Sequence, residues 1–169
     1  MIKNNIFLVG LMGSGKTSIG KALAKKLNMN FIDLDREIIE ETNSTISKIF
    51  DDLGEHKFRE LETQTLNKIS TVDNTVISTG GGVILKPENI KTMRENGSII
   101  HLDVDVKSQL QRVKNTENRP LLNKGNIKEK LVEMKHQRDG TYKSISLASV
   151  NTSNMRRNDI VNRIEMLIK

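Results

Sequence analysis

The chain contains no cysteine and no tryptophan, and only one Tyr and four Phe among its 169 residues. Without thiols there are no disulfides, no cysteine nucleophiles and no thiolate metal sites, an absence that says nothing about compartment. The scarcity of aromatics leaves Ile, Leu, Val and Met to fill the core and offers little on which bases could stack. No apolar run is long enough for a signal peptide or a spanning helix, so a cytoplasmic protein without a membrane partner is expected. Nor is there a block of one charge sign. The net charge of +6 comes from 27 basic residues scattered among 21 acids, a balance that suits an enzyme for anionic small molecules as well as a nucleic-acid binder. The scatter weighs against nucleic acid. Internal repeats, linkers and low-complexity blocks are also missing, and the length fits one domain, 1–169.

What is present alternates between two periods. The apolar run IFLVG at 6–10 reads as a buried strand, followed by a helix with Ile19, Leu23 and Leu27 on one face. FID at 31–33 is a second strand, after which Asp35 can cap the helix REIIEE. Ser44 or Thr45 opens a helix that stops at Gly54. From Glu55 to Ser70, the stripe Phe58, Leu61, Thr65, Leu66, Ile69 places Arg59 and Glu62 beside the buried face rather than on it. TVIST at 75–79 is a third strand ending in Gly80, Gly81 and Gly82, and Pro87 begins a helix that closes near Gly97. SIIHLDV at 98–104 is a fourth strand, followed by a helix bearing Val106, Leu110 and Val113. The polar, breaker-rich stretch at 115–126 has the composition of a lid, and Asn126 with Glu129 can box the next helix. LASVN at 147–151 precedes a last helix with Ile160, Val161 and Ile164. Strands alternating with helices predict an α/β fold whose parallel sheet is covered on both faces.

The segment GLMGSGKT at 10–17 fits GxxxxGK[ST], between a strand and a helix. Glycines here let the backbone approach a ligand closely, whereas the plainer alternative is a flexible helix-capping turn. The amides from Met12 to Thr17 are expected to point inward at phosphate oxygens, aided by the positive end of the following helix. Met12, Gly13, Ser14, Gly15, Lys16, Thr17 and Ser18 are therefore candidate nucleotide-binding residues. Lys16 would neutralise charge between the β- and γ-phosphates, and the Thr17 hydroxyl would supply a Mg²⁺ ligand. Phosphoryl transfer or nucleotide hydrolysis follows. The string NKGN at 123–126 lacks the aspartate of a guanine reader, so a G-protein switch is discounted.

In order and spacing, GLMGSGKT, FIDLD at 31–35, GEHKFRELE at 54–62, STGGG at 78–82, RPLL at 119–122 and Arg138 with Tyr142 together resemble the shikimate kinase family over nearly the whole chain. The resemblance implies a three-layer P-loop kinase fold, with a central five-stranded parallel sheet of nucleoside-monophosphate-kinase type and a lid over about 112–126. It implies transfer of the ATP γ-phosphate to the 3-hydroxyl of shikimate, with a shikimate-binding region over about 33–62. By resemblance Asp35 contacts the reacting hydroxyl and acts as its base, while Asp33 and Thr17 hold Mg²⁺. Arg59 and Arg138 take the shikimate carboxylate, Glu62 orients Arg59, and the amides of Gly81 and Gly82 bind the substrate. Arg119 closes onto the migrating phosphoryl group, Arg112 stacks on adenine, and Arg157 is matched to the adenine side. Lys16, Asp35 and Arg119 are the expected catalytic residues, and a monomer acting on ATP and shikimate is expected.

Each residue also has a plainer use. Asp35 fits a helix cap as well as a base. Arg59 alone would read as a surface ion pair with Glu55 or Glu62, and Phe50 and Phe58 as core rather than site wall. Asp159 departs from the family's pattern near adenine, and Gly140 in RDGTY leaves the direction of Arg138 open. His56, His101 and His136 match no metal-ligand spacing and read as surface or packing residues. Competing functions are a P-loop kinase for gluconate or a nucleoside monophosphate, and a nucleotide-dependent nucleic-acid binder.

Overall fold

A computed structural model describes residues 4–113 and 126–168. Of the expected lid, only Arg112, Val113 and Asn126 fall among them, and Arg119 lies outside.

Strand β1 (Asn5–Val9) is buried along its whole length and sits at the centre of a five-stranded sheet. Its alternating side chains serve two cores. Ile6 and Leu8 join one apolar cluster with Ile19, Leu23, Val76, Ile100, Val150 and Ile164, and Phe7 and Val9 join another with Leu34, Ile38, Phe58, Leu66, Met93 and Tyr142. Both faces of the sheet are therefore covered, which is why the run is continuously apolar. The order is β2 (Asn30–Asp33), β3 (Thr75–Ser78), β1, β4 (Gly97–Asp103), β5 (Ala148–Asn151), parallel throughout. Helices α1 (Lys16–Leu27) and α7 (Arg157–Ile168) pack on the Leu8 face. Opposite them lie α2 (Leu34–Thr42), α3 (Ile46–Ile69), α4 (Pro87–Asn96) and α6 (Ile127–Ile145). Helix α5 (Val106–Val113) leans on α6 through Val113 and Leu131.

The strands, the capping Asn126 and the Pro87 start agree with expectation to within a residue or two. Two details differ. The cap of α2 is Asp33, whose Oδ1 accepts the Arg36 N–H at 3.3 Å, because β2 ends there in extended geometry; Asp35 lies in the first turn. Gly54, by contrast, agrees: with φ 81 it divides α3 into two helical segments that meet at a kink, as its sequence predicts. Arg59 and Glu62 are buried, 7% and 0% exposed. Their spacing explains it: Arg59, Glu62, Leu66 and Ile69 step by three and four, which is one face of a helix.

Candidate active site

The loops after β1, β2 and β3 leave the sheet at its carboxyl edge, where open parallel sheets bind ligands. They enclose a cleft of about 310 Å³ lined by Met12, Gly13, Gly15, Lys16, Thr17, Ser18, Asp33, Asp35, Ser78, Thr79, Gly80 and Gly81. The P-loop and the first turn of α2 thus share one wall.

Gly13 and Gly15 have φ of 75° and 95°, a left-handed conformation that side chains resist. Three consecutive carbonyls of this loop are held from outside. Gln109 Nε2 donates to Met12 O at 2.9 Å, Arg112 Nη1 to Gly13 O at 3.0 Å and Thr152 Oγ1 to Ser14 O at 3.0 Å. A trans peptide points its N–H opposite to its C=O, so these bonds turn the Gly13 and Gly15 amides away from α5 and β5. Ser14 departs from the expected set of inward amides: its N–H donates to Leu11 O at 3.2 Å, closing a tight turn. The Lys16 ammonium is buried and donates to Gly10 O at 2.8 Å and Leu11 O at 3.0 Å. Thr17 Oγ1 donates to Asp33 Oδ2 at 2.6 Å and lies 3.4 Å from Ser78 Oγ. This cluster of hydroxyl and carboxylate oxygens is the donor type that a hard cation such as Mg²⁺ takes.

Behind the glycine segment stands a charged group. Arg59 Nη1 donates to Glu62 Oε2 at 2.8 Å, and its Nη2 to Glu55 Oε1 at 3.1 Å. Burial works against the guanidinium's charge, but Glu62 and Glu55 more than offset it and hold the proton on more tightly than usual. Burial also pushes the Glu62 carboxyl up, against the pull of Arg59 and with added repulsion from Asp35. The backbone fits closely around these groups. A Cβ on Gly80 would come within 2.7 Å of Glu62 Oε1 and 3.1 Å of Asp35 Oδ1, and one on Gly82 within 2.3 Å of the Arg59 guanidinium. A side chain at either position would displace these charged groups. Arg138 Nη1 reaches Gly81 O at 3.3 Å, and Tyr142 Oη donates to the same carbonyl. Helix α6 runs straight through Gly140, which settles the direction of Arg138 toward the glycines.

Asp33, Asp35, Lys16, Thr17, Gly81, Gly82, Arg59 and Arg138 therefore converge. Arg59, Gly82 and Arg138 stand behind the lining rather than in it, and Arg112 flanks the P-loop. Arg157 is exposed at the start of α7, away from the lining, in the same first turn as Asp159. Phe50 and Phe58 pack at 4.7 Å between ring centres against the core. His56 and His136 are exposed; His101 is buried beside Asp103 and Asp139, a grouping whose carboxylates are taken by Lys135 at 2.6 Å and Lys143 at 2.6 Å. Ser78, Gln109 and Thr152 were not expected at the site. Gln109 sits one turn before Arg112 and shares its face, the only trace of its role in the sequence.

The family model described as shikimate kinase matches residues 12–169. A shikimate kinase of Caldicellulosiruptor bescii is 49% identical over 140 residues, covering 83% of this chain and 81% of that one. One from Pelotomaculum thermopropionicum is 40% identical over 98% of this chain and 95% of its own length. Among solved structures, shikimate kinase from Acinetobacter baumannii in complex with shikimate superposes with a TM-score of 0.95 at 37% identity, over 99% of this chain and 93% of the other.

Proposed function

The chain belongs to the shikimate kinase family, and from that premise we propose how its residues divide the reaction. It is an ATP-dependent kinase that phosphorylates shikimate. The shikimate 3-hydroxyl oxygen bonds to the γ-phosphorus as the bond to the bridging β,γ-oxygen breaks, giving shikimate 3-phosphate and ADP. The hydroxyl proton passes to Asp35. A strong base is not required, because a loose phosphoryl transition state gains most from positioning and charge neutralisation.

The P-loop residues Met12 to Ser18 cradle the ATP phosphates, with Lys16 on the migrating charge. Thr17 and Asp33 fit as the holders of Mg²⁺, which when bound neutralises β- and γ-phosphate oxygens. Arg112 has its edge engaged by Gly13 and Thr152, leaving the guanidinium face for adenine, and Arg157 lies on the adenine side. Arg59 and Arg138 take the shikimate carboxylate, with Gly81 and Gly82 amides on the ring substituents. Arg119 supplies positive charge from the lid and helps exclude water, so that shikimate rather than water receives the phosphoryl group. The protein acts as a cytoplasmic monomer, one domain on two small molecules, and no described helix is long and apolar enough to cross a membrane.

The observation that carries this reading is the shared cleft: Lys16 and Asp35 line the same space, and Arg59 is packed on the glycine segment that closes it. A coupled ADP-release assay offering shikimate, gluconate and AMP tests it. Turnover with shikimate alone is expected; turnover only with another acceptor would reject it.

A further inference from the structure

Tyr142 is the chain's single tyrosine, it is fully buried, and nothing in the phosphoryl-transfer chemistry above uses it. A buried hydroxyl costs stability unless it is hydrogen-bonded, and phenylalanine would fill the same space without that demand. The hydroxyl's partner is the carbonyl of Gly81, 61 residues away and in the segment assigned to the acceptor. Arg138, one turn earlier on α6, donates to the same oxygen, which sets its guanidinium beside Oη. Two donors thus fix one carbonyl, and a fixed Gly81 C=O turns the Gly82 N–H the opposite way.

The ring is held from behind. It stacks on His101 with centres 4.9 Å apart and planes 14° from parallel, and His101 Nδ1 is 3.0 Å from Ser149 Oγ on β5. Arg138 is held less completely: its buried Nε has no hydrogen-bond partner among the described residues. Among the described residues its guanidinium is hydrogen-bonded to Gly81 O at 3.3 Å, the carbonyl that Oη also holds.

We propose that Tyr142 is a positioning residue for the acceptor, its hydroxyl fixing the Gly81–Gly82 peptide and, through the shared Gly81 carbonyl, the Arg138 guanidinium in the orientation that receives the shikimate carboxylate. This rests on the shikimate kinase reading. Its effect belongs to the acceptor side, since its hydroxyl bonds Gly81 O and its ring stacks on His101.

Tyr142→Phe keeps the ring and its stacking and deletes one oxygen. Steady-state kinetics should show KM for shikimate raised about five- to twentyfold, the loss of one hydrogen bond beside a charged site. KM for ATP, the affinity for ADP and the melting temperature should stay close to those of the parent enzyme. An unmoved shikimate KM overturns the proposal, as does a loss shared by ADP and shikimate, which is what a misfolded or merely loosened variant would give. The parent enzyme separates the two levels. A parent inactive on shikimate defeats the functional reading itself, whereas an active parent with an indifferent variant defeats only the role of Tyr142.

Discussion

In the proposed division of roles, Arg59 carries much of the acceptor chemistry. It is buried, paired with the fully buried Glu62 and pressed against Gly82. Arg59→Ala should weaken shikimate by about 1.5 to 3 kcal/mol, roughly tenfold to over a hundredfold, with ATP binding little changed. It should also destabilise the fold by about 3 to 5 kcal/mol, because removing one partner strands a charge in the interior. Adding Glu62→Gln should restore much of the melting temperature and none of the shikimate affinity. Equal weakening of both ligands would contradict the assignment. Arg59 could be picked as a candidate from FRELE, but its burial could not be read there. A hydrophobic stripe reads charged residues as outward-facing, and only the pairing of Arg59 with Glu62 lets both turn inward. Asp35 shows the reverse: helix-start chemistry favours it as a cap, yet α2 begins directly after β2, at Leu34, and Asp33 takes that place.

At the scale of elements, β1, the glycine loop and α1 form a unit that the sequence exposes plainly, since a buried strand, a phosphate loop and an amphipathic helix each have their own spacing. What sets the loop's peptide planes is invisible there. Gln109 on α5 and Thr152 after β5 are 97 and 138 residues from the carbonyls they hold, so only the folded sheet brings them together. Gln109→Leu preserves volume and removes the bond to Met12 O. KM for ATP should rise several-fold, as expected for one lost hydrogen bond of about 1 kcal/mol, while KM for shikimate stays put. The two KM values, measured side by side, check this; a rise in the shikimate KM alone would place Gln109 elsewhere in the mechanism.

For the whole molecule, strand order 2-3-1-4-5 brings the loops after β1, β2 and β3 to one edge and lets α6, from the chain's far end, close behind them. The parallel α/β class was legible from alternating periods. The order of the strands was not, because uniformly apolar strands carry no mark of their neighbours. That same packing buries His101, and burial lowers its pKa from 6.5 to about 4, with Asp103 and Asp139 opposing and Lys135 and Lys143 assisting. The unfolded chain therefore binds a proton at His101 that the folded one refuses, so stability falls as pH drops from about 6.5 toward 4. At about pH 4.5 the deficit is about 2 to 3 kcal/mol. Urea unfolding of His101→Asn should lose that much less between neutral pH and about pH 4.5 than the parent, and identical losses would show that His101 is not the group responsible. The proposed reaction is a direct transfer between two small molecules in one cleft. Acceptor-dependent ADP release is its sharpest test: ADP should form one-for-one with shikimate 3-phosphate and almost not at all without shikimate, whereas ADP release indifferent to shikimate would contradict direct transfer.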